Sequence, residues 1–155
     1  MKHQGETPKM IKACAVLVVL ATPFVAGSAF AMGSSDTWSS EGTDLSAVTE
    51  LVDNGMYEMA IDKIEAMLEE DSENADLYNY LAYSQRKSGD FDSAAQNYER
   101  ALMINPEHLG ALEYQGELFL KTSNPQMAAE NLARIEQLCG TECAEYKQLA
   151  SQMGN

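Results

Sequence analysis

The sequence has little positive charge. Of its 155 residues, 10 are Lys or Arg and 24 are Asp or Glu, so the formal net charge is −14. A nucleic-acid-binding surface needs cations to neutralise phosphates, which argues against a nucleic-acid partner and equally against an anionic membrane surface. A basic surface or segment of a partner protein fits this charge. A solvated acidic face that keeps the chain soluble fits it as well, and the sequence leaves both open.

Residue types that build reactive sites are also scarce. There are two histidines, and His108, the one that follows residue 31, has no obvious catalytic partner, so we expect it in a surface turn. No glycine-rich phosphate loop is present. Six methionines lie mainly on apolar stripes and are expected to fill the core: Met56, Met59, Met67, Met103, Met127 and Met153. The composition therefore predicts no enzyme, no cofactor and no metal site.

The chain has a single long hydrophobic run, at residues 13–27. Lys2, Lys9 and Lys12 precede the run, and Ala29-Phe30-Ala31 follows it with the small-x-small pattern of a cleavage site. These features predict a cleavable secretory signal peptide over residues 1–31. A retained membrane anchor is the alternative, but the run is shorter than the ~20 residues of a spanning helix and contains Pro23.

Cleavage after Ala31 would leave a chain without a stable membrane span, located in the periplasm of a Gram-negative-type bacterium or secreted. Residues 32–43 are rich in Ser and Gly, which predicts a flexible tail. This tail contains Trp38, the only tryptophan. Trp38 could dock on the first structural unit or remain a loose residue beside the cleavage site.

Small and apolar residues recur at a spacing of 34. Alanine lies at positions 60, 94 and 128, and the clearest copy of the pattern runs over residues 75–108. That copy contains Tyr78, Leu81, Ala82, Gly89-Asp90-Phe91, Ala94, Tyr98, Ala101-Leu102 and Asn105-Pro106. The pattern resembles the tetratricopeptide repeat (TPR), a helix-turn-helix unit of 34 residues.

The resemblance covers three copies, at about residues 41–74, 75–108 and 109–142. It implies an all-α fold, a short right-handed α-solenoid within a domain over residues 44–153. The predicted helices span 44–54, 57–70, 75–88, 91–104, 109–121 and 125–138. Asn74 or Asp76, Asp90 and Pro125 provide helix-start signals. Apolar residues at helical spacing predict a further capping helix over about 142–153, with Tyr146, Leu149, Ala150 and Met153 on its apolar stripe.

Two cysteines lie where the last repeat meets the capping helix. In an exported protein, Cys139 and Cys143 at this short spacing favour a disulfide, because Gly140 allows the chain to turn between them. Free thiols and a redox or metal site are the alternatives. The C-x3-C spacing differs from the C-x2-C of thioredoxin-like and zinc sites.

In the TPR family the first helix of each repeat lines a concave groove that binds peptides or helices of partner proteins. By analogy, the exposed groove positions are Asp76, Asn79, Tyr83, Arg86, Lys87, Glu113, Glu117, Leu120 and Lys121, with Leu45, Thr49 and Val52 in the first repeat. Each could also be only a solvent-facing residue. The carboxylate clamp of some relatives is absent, since its places hold Leu45, Thr49, Gly110 and Tyr114.

The resemblance and the predicted signal peptide together therefore favour a periplasmic scaffold or adaptor that binds a segment of a partner protein. The alternative function is a structural or assembly subunit of a cell-envelope complex. A helper in cytochrome maturation is one such role, and it rests on family analogy alone.

Overall fold

The computed structural model describes residues 43–154, which form seven α-helices. They are α1 (Ser46–Asp53), α2 (Tyr57–Glu70), α3 (Ala75–Ser88), α4 (Phe91–Ile104), α5 (Leu109–Lys121), α6 (Pro125–Cys139) and α7 (Ala144–Met153). The bounds predicted for α2 to α5 coincide with those observed, α6 is one residue longer than predicted, and α1 is shorter. The predicted signal peptide and nearly all of the tail, with Trp38, lie outside the described residues.

The helices form a solenoid of helix-turn-helix pairs. α1 packs on α2, α3 on α4 and α5 on α6, and each pair also packs on the next. α3 contacts α5 directly, and α5 contacts α7, so these helices lie side by side along the inner face of the solenoid. Within residues 43–154, no helix is both long enough and apolar enough to cross a membrane.

The turn inside each pair has the same backbone conformation in all three repeats. Gly55, Gly89 and Ser123 are 34 residues apart, and their φ angles are 71°, 94° and 63°. Glycine adopts this left-handed conformation without steric cost, whereas a residue with a Cβ does not. The third repeat therefore keeps the turn geometry after losing the glycine that favours it.

Side chains cap three of the helices, namely α3, α4 and α5, and their capping residues are Asn74, Asp90 and His108. The Asn74 side chain accepts a hydrogen bond from the Leu77 N–H at the start of α3, and Asp90 accepts one from Ser93 at the start of α4. Hydrogen bonds from Ser93, first that of its side chain and then that of its backbone N–H, lower the pKa of Asp90. Pro125 is in the first turn of α6, as predicted.

The surface-turn prediction for His108 was wrong. The side chain is buried, and its Nδ1 atom accepts the Ala111 N–H at 3.2 Å, which caps the start of α5. The surface-turn prediction did not include the imidazole nitrogen as a helix cap. The His108 side chain points inward because it caps the start of α5, and α5 packs against α3.

The core consists of three hydrophobic clusters along the array. The N-terminal cluster contains Leu45, Val48, Ala60, Ile64, Leu77 and Leu81. The middle cluster contains Ala82, Ala94, Tyr98, Ala101, Ala111 and Leu118, and the C-terminal cluster contains Leu112, Ile135 and Leu149. Alanines 60, 94 and 128 are fully buried, because close helix crossings leave room only for small side chains.

The last helix completes the C-terminal cluster. α7 packs against α5 and α6, and its Leu149 is fully buried. Tyr146, Leu149 and Ala150 follow Tyr78, Leu81 and Ala82 by twice the repeat length. Thus α7 covers the array in the way expected of the predicted capping helix, and it occupies the position of a further first helix.

The core-filling prediction was wrong for four of the six methionines. Met56, Met59, Met103 and Met127 are 39%, 57%, 72% and 45% exposed. They lie on or beside α2, α4 and α6, outside the three clusters, while Met67 and Met153 pack against cluster residues. Neighbouring helices cover only part of each apolar stripe, and these four methionines lie on the part that stays uncovered.

Candidate functional site

Three tyrosines form a row on one side of the array. The rings of Tyr57 and Tyr83 meet edge to face with centroids 6.4 Å apart, and those of Tyr83 and Tyr114 are tilted with centroids 4.9 Å apart. All three rings are half-buried, so each keeps some surface towards solvent. Tyr83 of α3 is the central ring, which joins the start of α2 to the inner helix α5.

Arg86 lies beneath this row. Its guanidinium is 5.2 Å from the Tyr83 ring centroid and 5.5 Å from that of Tyr114, within the range of cation–π contacts. Its Nη1 atom is 2.7 Å from a carboxylate oxygen of Glu117, and its Nε donates a hydrogen bond to the Tyr98 hydroxyl at 3.3 Å. We call Tyr57, Tyr83, Arg86, Tyr114 and Glu117 the tyrosine–arginine cluster.

The buried phenols beside Arg86 are held in their neutral form. Burial raises the pKa of Tyr98 far above its usual range, and the positive charge of Arg86 opposes that shift only in part. Burial likewise raises the pKa of Tyr114, with a further contribution from Glu113. The Arg86–Glu117 ion pair therefore lies beside two phenols, Tyr98 and Tyr114, that stay protonated at physiological pH.

The cluster extends to the last helix through one carboxylate. The Gln152 side-chain amide of α7 donates a hydrogen bond to Glu117 of α5, and the same carboxylate pairs with Arg86 of α3. Arg86, Glu117 and Gln152 thus connect three neighbouring inner helices.

Asp76, a predicted groove residue, is instead a buried structural group. His108 Nε2 lies 3.0 Å from its carboxylate oxygen, and both side chains are at most 9% exposed. Because the other ring nitrogen of His108 accepts the Ala111 N–H, Nε2 carries the proton and donates to Asp76. This contact ties the first turn of α3 to the start of α5.

The exposed-groove prediction was also wrong for three further positions. Arg86 and Glu113 are 5% and 3% exposed, and Asn79 is fully buried. Among the described residues, neither amide atom of Asn79 has a hydrogen-bond partner. In this short array α3 and α5 are in direct contact, and that contact covers inner-face side chains that the family analogy places in an open groove.

The remaining predicted positions keep a solvent-accessible surface. Lys87 and Lys121 are exposed at the ends of α3 and α5, and Tyr83 and Glu117 are partly exposed. Lys87 Nζ lies 5.5 Å from the Tyr83 ring centroid. Neither lysine forms a salt bridge within residues 43–154. Leu120, Thr49 and Val52 are half-buried, and Leu45 belongs to the N-terminal cluster.

The inner face lacks a carboxylate clamp. Leu45 and Gly110 are buried, Thr49 donates its hydroxyl to backbone carbonyls of its own helix, and Tyr114 belongs to the tyrosine–arginine cluster. None of the four positions holds a cation. The accessible chemistry is therefore an aromatic surface on Tyr83 with Lys87 beside it.

Three members of this site were missed from the sequence. Tyr114 is named above only as a departure from the carboxylate clamp, and Tyr57 and Gln152 were not among the predicted site residues. The signal for Tyr57 was present, since an aromatic at the start of a second helix can reach the first helix of the next repeat. Gln152 could not have been found without the docking geometry of α7.

The two cysteines lie at the junction of α6 and α7. The structure joins their sulfur atoms, with the Cα atoms of Cys139 and Cys143 6.0 Å apart. A carboxylate oxygen of Glu145 and both sulfurs lie within 4.8 Å of one another, and all three residues are half-buried. Thiolates are the metal-binding form of cysteine, so the group as joined does not present a thiolate metal site.

Comparisons of sequence and fold place these observations in context. The sequence profile of the tetratricopeptide repeat matches residues 75–108, the middle repeat. No curated protein matches the sequence significantly. The three solved structures described next are 16% to 18% identical to this chain, so the likeness concerns the fold.

Three of these structures illustrate the fold. The type III secretion chaperone SycD of Yersinia enterocolitica, in complex with a peptide of the translocator YopD, has TM-score 0.61 and 18% identity, with 70% of this chain and 82% of that chain covered. The second TPR domain of human RPAP3, in complex with an HSP70 peptide, has TM-score 0.62, 16% identity and coverage of 71% and 91%. MamA from Desulfovibrio magneticus RS-1 has TM-score 0.57, 16% identity and coverage of 63% and 55%.

Proposed function

Because this chain is a tetratricopeptide-repeat protein, we propose that it is an adaptor that binds an extended segment of a partner protein on its inner face. The observation that carries the proposal is the half-buried row of Tyr57, Tyr83 and Tyr114 across helices α2, α3 and α5. A rigid aromatic surface gives contact area at a low entropy cost. SycD and RPAP3, which share the fold, were solved with peptides bound.

The chemistry of the inner face indicates what such a segment contains. An apolar or aromatic side chain of the partner packs on Tyr83, whose ring is already held from below by Arg86. Lys87 and Lys121 lie on the same side of the array, and polar or acidic groups of the partner fit beside them. Arg86 forms an ion pair with Glu117 and a hydrogen bond with Tyr98. It therefore supports the ring of Tyr83 from below and does not contact the partner.

We also propose that the adaptor acts outside the cytoplasm. The support is the order of basic residues, apolar run and small-x-small motif within residues 1–31. Fractionation of cells that express the full chain, followed by mass measurement of the purified protein, tests this proposal. A protein in the periplasmic fraction that begins at Met32 is expected, and a cytoplasmic protein of full mass would contradict it.

Site-specific crosslinking tests the adaptor function. A photoreactive residue at Lys87 or Lys121 probes the inner face, and one at Met103 or Lys63 probes the outer helices. We expect one partner protein to be captured from both inner positions and from neither outer position. Equal capture from inner and outer positions would contradict binding on this face.

A substitution then tests the tyrosine row. Tyr83→Ala combined with Lys87→Glu removes the exposed ring and reverses a charge, without removing the buried Arg86 pair. We expect capture from position 121 to fall at least tenfold, as a lost aromatic anchor costs about 2 kcal/mol or more in binding. The matched control is Phe91→Ala with Lys63→Glu, an exposed aromatic and an exposed lysine on outer helices, which should leave capture unchanged.

A second candidate function is that of a self-associating assembly subunit. Exposed apolar side chains on the outer helices favour it, namely Met59, Phe91, Met103, Met127 and Leu138. Sedimentation over a wide concentration range distinguishes the two functions. Oligomers that Met103→Glu dissolves would support self-assembly, and a monomer at every concentration would exclude it.

A further inference from the structure

The last helix is attached to the array at two separate points besides its apolar face. The junction with α6 is closed by Cys139 and Cys143, whose sulfurs are joined. At the other end of α7, Gln152 donates its amide to Glu117. Between these two points, Leu149 fills the space next to Gly116 and belongs to the C-terminal cluster.

From this arrangement we infer that the Cys139–Cys143 pair is a redox latch: its oxidation state sets how firmly α7 is docked, and through Gln152 and Glu117 it sets the state of the tyrosine–arginine cluster. The inference rests on the proposed function only for its biological meaning, which is control of partner binding. The structural link between the latch and Arg86 stands independently of any partner.

The chemical step is a thiol–disulfide exchange with a dithiol reductant. The sulfur–sulfur bond between Cys139 and Cys143 breaks, two electrons and two protons pass from the dithiol, and the two cysteines become thiols. The reductant leaves as its own disulfide. Both cysteines are half-buried, so an incoming thiolate can approach from solvent.

Reduction affects α7 because this helix is short and has few other attachments. α7 spans Ala144–Met153, ten residues, and an isolated helix of that length is marginal in water. Its only fully buried side chain is that of Leu149. The disulfide closes a small ring from Cys139 to Cys143. By the loop-entropy relation, breaking this ring increases the population of the state in which α7 is detached roughly thirtyfold.

Detachment of α7 changes the contacts of the tyrosine–arginine cluster through the carboxylate of Glu117. When Gln152 leaves, this carboxylate loses one of its two partners, and Arg86 is the other. The Arg86 guanidinium lies against both Tyr83 and Tyr114. A change in the Arg86–Glu117 pair therefore changes the support of the central ring.

Amide hydrogen exchange on the full mature protein tests the latch. We expect protection of the α7 amides to fall about thirtyfold in dithiothreitol relative to the oxidised protein, with α3 and α4 amides unchanged. A Cys139→Ser, Cys143→Ser variant should show the lower protection with and without dithiothreitol. Equal protection of α7 in the oxidised and reduced wild-type proteins would overturn the inference, as would an equal loss along the whole chain.

The link to the binding face has its own readout. The Arg86 Nε–H resonance in a proton–nitrogen NMR spectrum should shift on reduction, and Gln152→Ala in the oxidised protein should shift it in the same direction. A resonance that stays in place in both experiments would overturn the coupling. Neither measurement contains a partner, so a failure of the adaptor proposal in crosslinking would be recognised separately from a failure of the latch.

Discussion

Leu149 occupies the space in which a side chain at position 116 would lie. A Cβ built on Gly116 would come within 2.5 Å of Leu149 Cδ2 and 2.9 Å of Cδ1. Gly116 is in the interior of α5 and has no positive φ, so backbone conformation does not require glycine there. The requirement comes from the neighbouring helix, whose buried leucine packs directly on the α5 backbone.

The first prediction concerns this pair. Gly116→Ala should lower the free energy of unfolding by about 1–3 kcal/mol through overpacking. In a Leu149→Ala background the same change should instead stabilise the protein by about 0.5–1 kcal/mol, because alanine is the better helix former. Urea denaturation of the four proteins measures both effects. Gly154→Ala serves as the control, since its nearest neighbour would be 3.7 Å away, and additive effects at positions 116 and 149 would contradict the packing argument.

The second prediction concerns the strained turn of the third repeat. Ser123 has φ 63°, a conformation that costs a residue with a Cβ about 1–2 kcal/mol. Ser123→Gly should therefore raise the free energy of unfolding by about 1 kcal/mol. The reciprocal change, Gly89→Ser at the equivalent turn, should lower it by a similar amount, since the site is open and only backbone strain enters. A neutral Ser123→Gly would contradict the assignment of strain.

The third prediction is a loss of stability at alkaline pH. Burial raises the pKa of Tyr98 and of Tyr114 above the ordinary value of 10.0. Below pH 10 these tyrosines are protonated in both the folded and the unfolded chain, so the free energy of unfolding does not depend on them. Above pH 10 they ionise in the unfolded chain but stay protonated in the folded one, so the free energy of unfolding decreases as the pH rises. Urea denaturation between pH 8 and pH 12 measures the decline. Tyr98→Phe should make this decline shallower, because it removes the phenol that burial keeps neutral in the folded state.

The fourth prediction concerns the buried Asp76–His108 contact. His108→Ala removes the cap of α5 and the imidazole that donates to Asp76, and it should cost about 3 kcal/mol or more. Asn124→Ala is a matched control at the N-cap of α6, where the side chain makes no capping hydrogen bond, and it should cost little. Thermal and urea unfolding would both report the difference. Equal small effects would show that His108 is a surface residue after all.

Local signals in the sequence predicted most of the fold. The alanines at 60, 94 and 128 located the helix crossings, and Asp90 and Pro125 located helix starts, because caps and small residues act over a few residues of chain. The inner face was predicted less well. Tyr83 kept its accessible surface, whereas Asn79 and Glu113 were buried, since their exposure depends on how closely α3 approaches α5.

The network around Arg86 was beyond sequence reasoning for the same reason. Arg86 was predicted as a groove residue from its repeat position alone. Its contacts with Glu117 and Tyr98 join α3, α4 and α5, and no repeat position specifies that three such side chains converge. The disulfide, by contrast, was a short-range prediction, because only three residues separate Cys139 from Cys143, and it stays a prediction.

The last two junctions between helix pairs differ in the residues that restrict the backbone. Asn105-Pro106 forms the junction before α5, and Cys139-Gly140 occupies the corresponding positions one repeat later. A proline ring restricts its backbone for the lifetime of the chain, because no cellular reagent opens it. A disulfide restricts the backbone only while the surroundings remain oxidising. A disulfide between Cys139 and Cys143 would therefore place, at one of these two junctions, a constraint that a reductant removes after folding is complete.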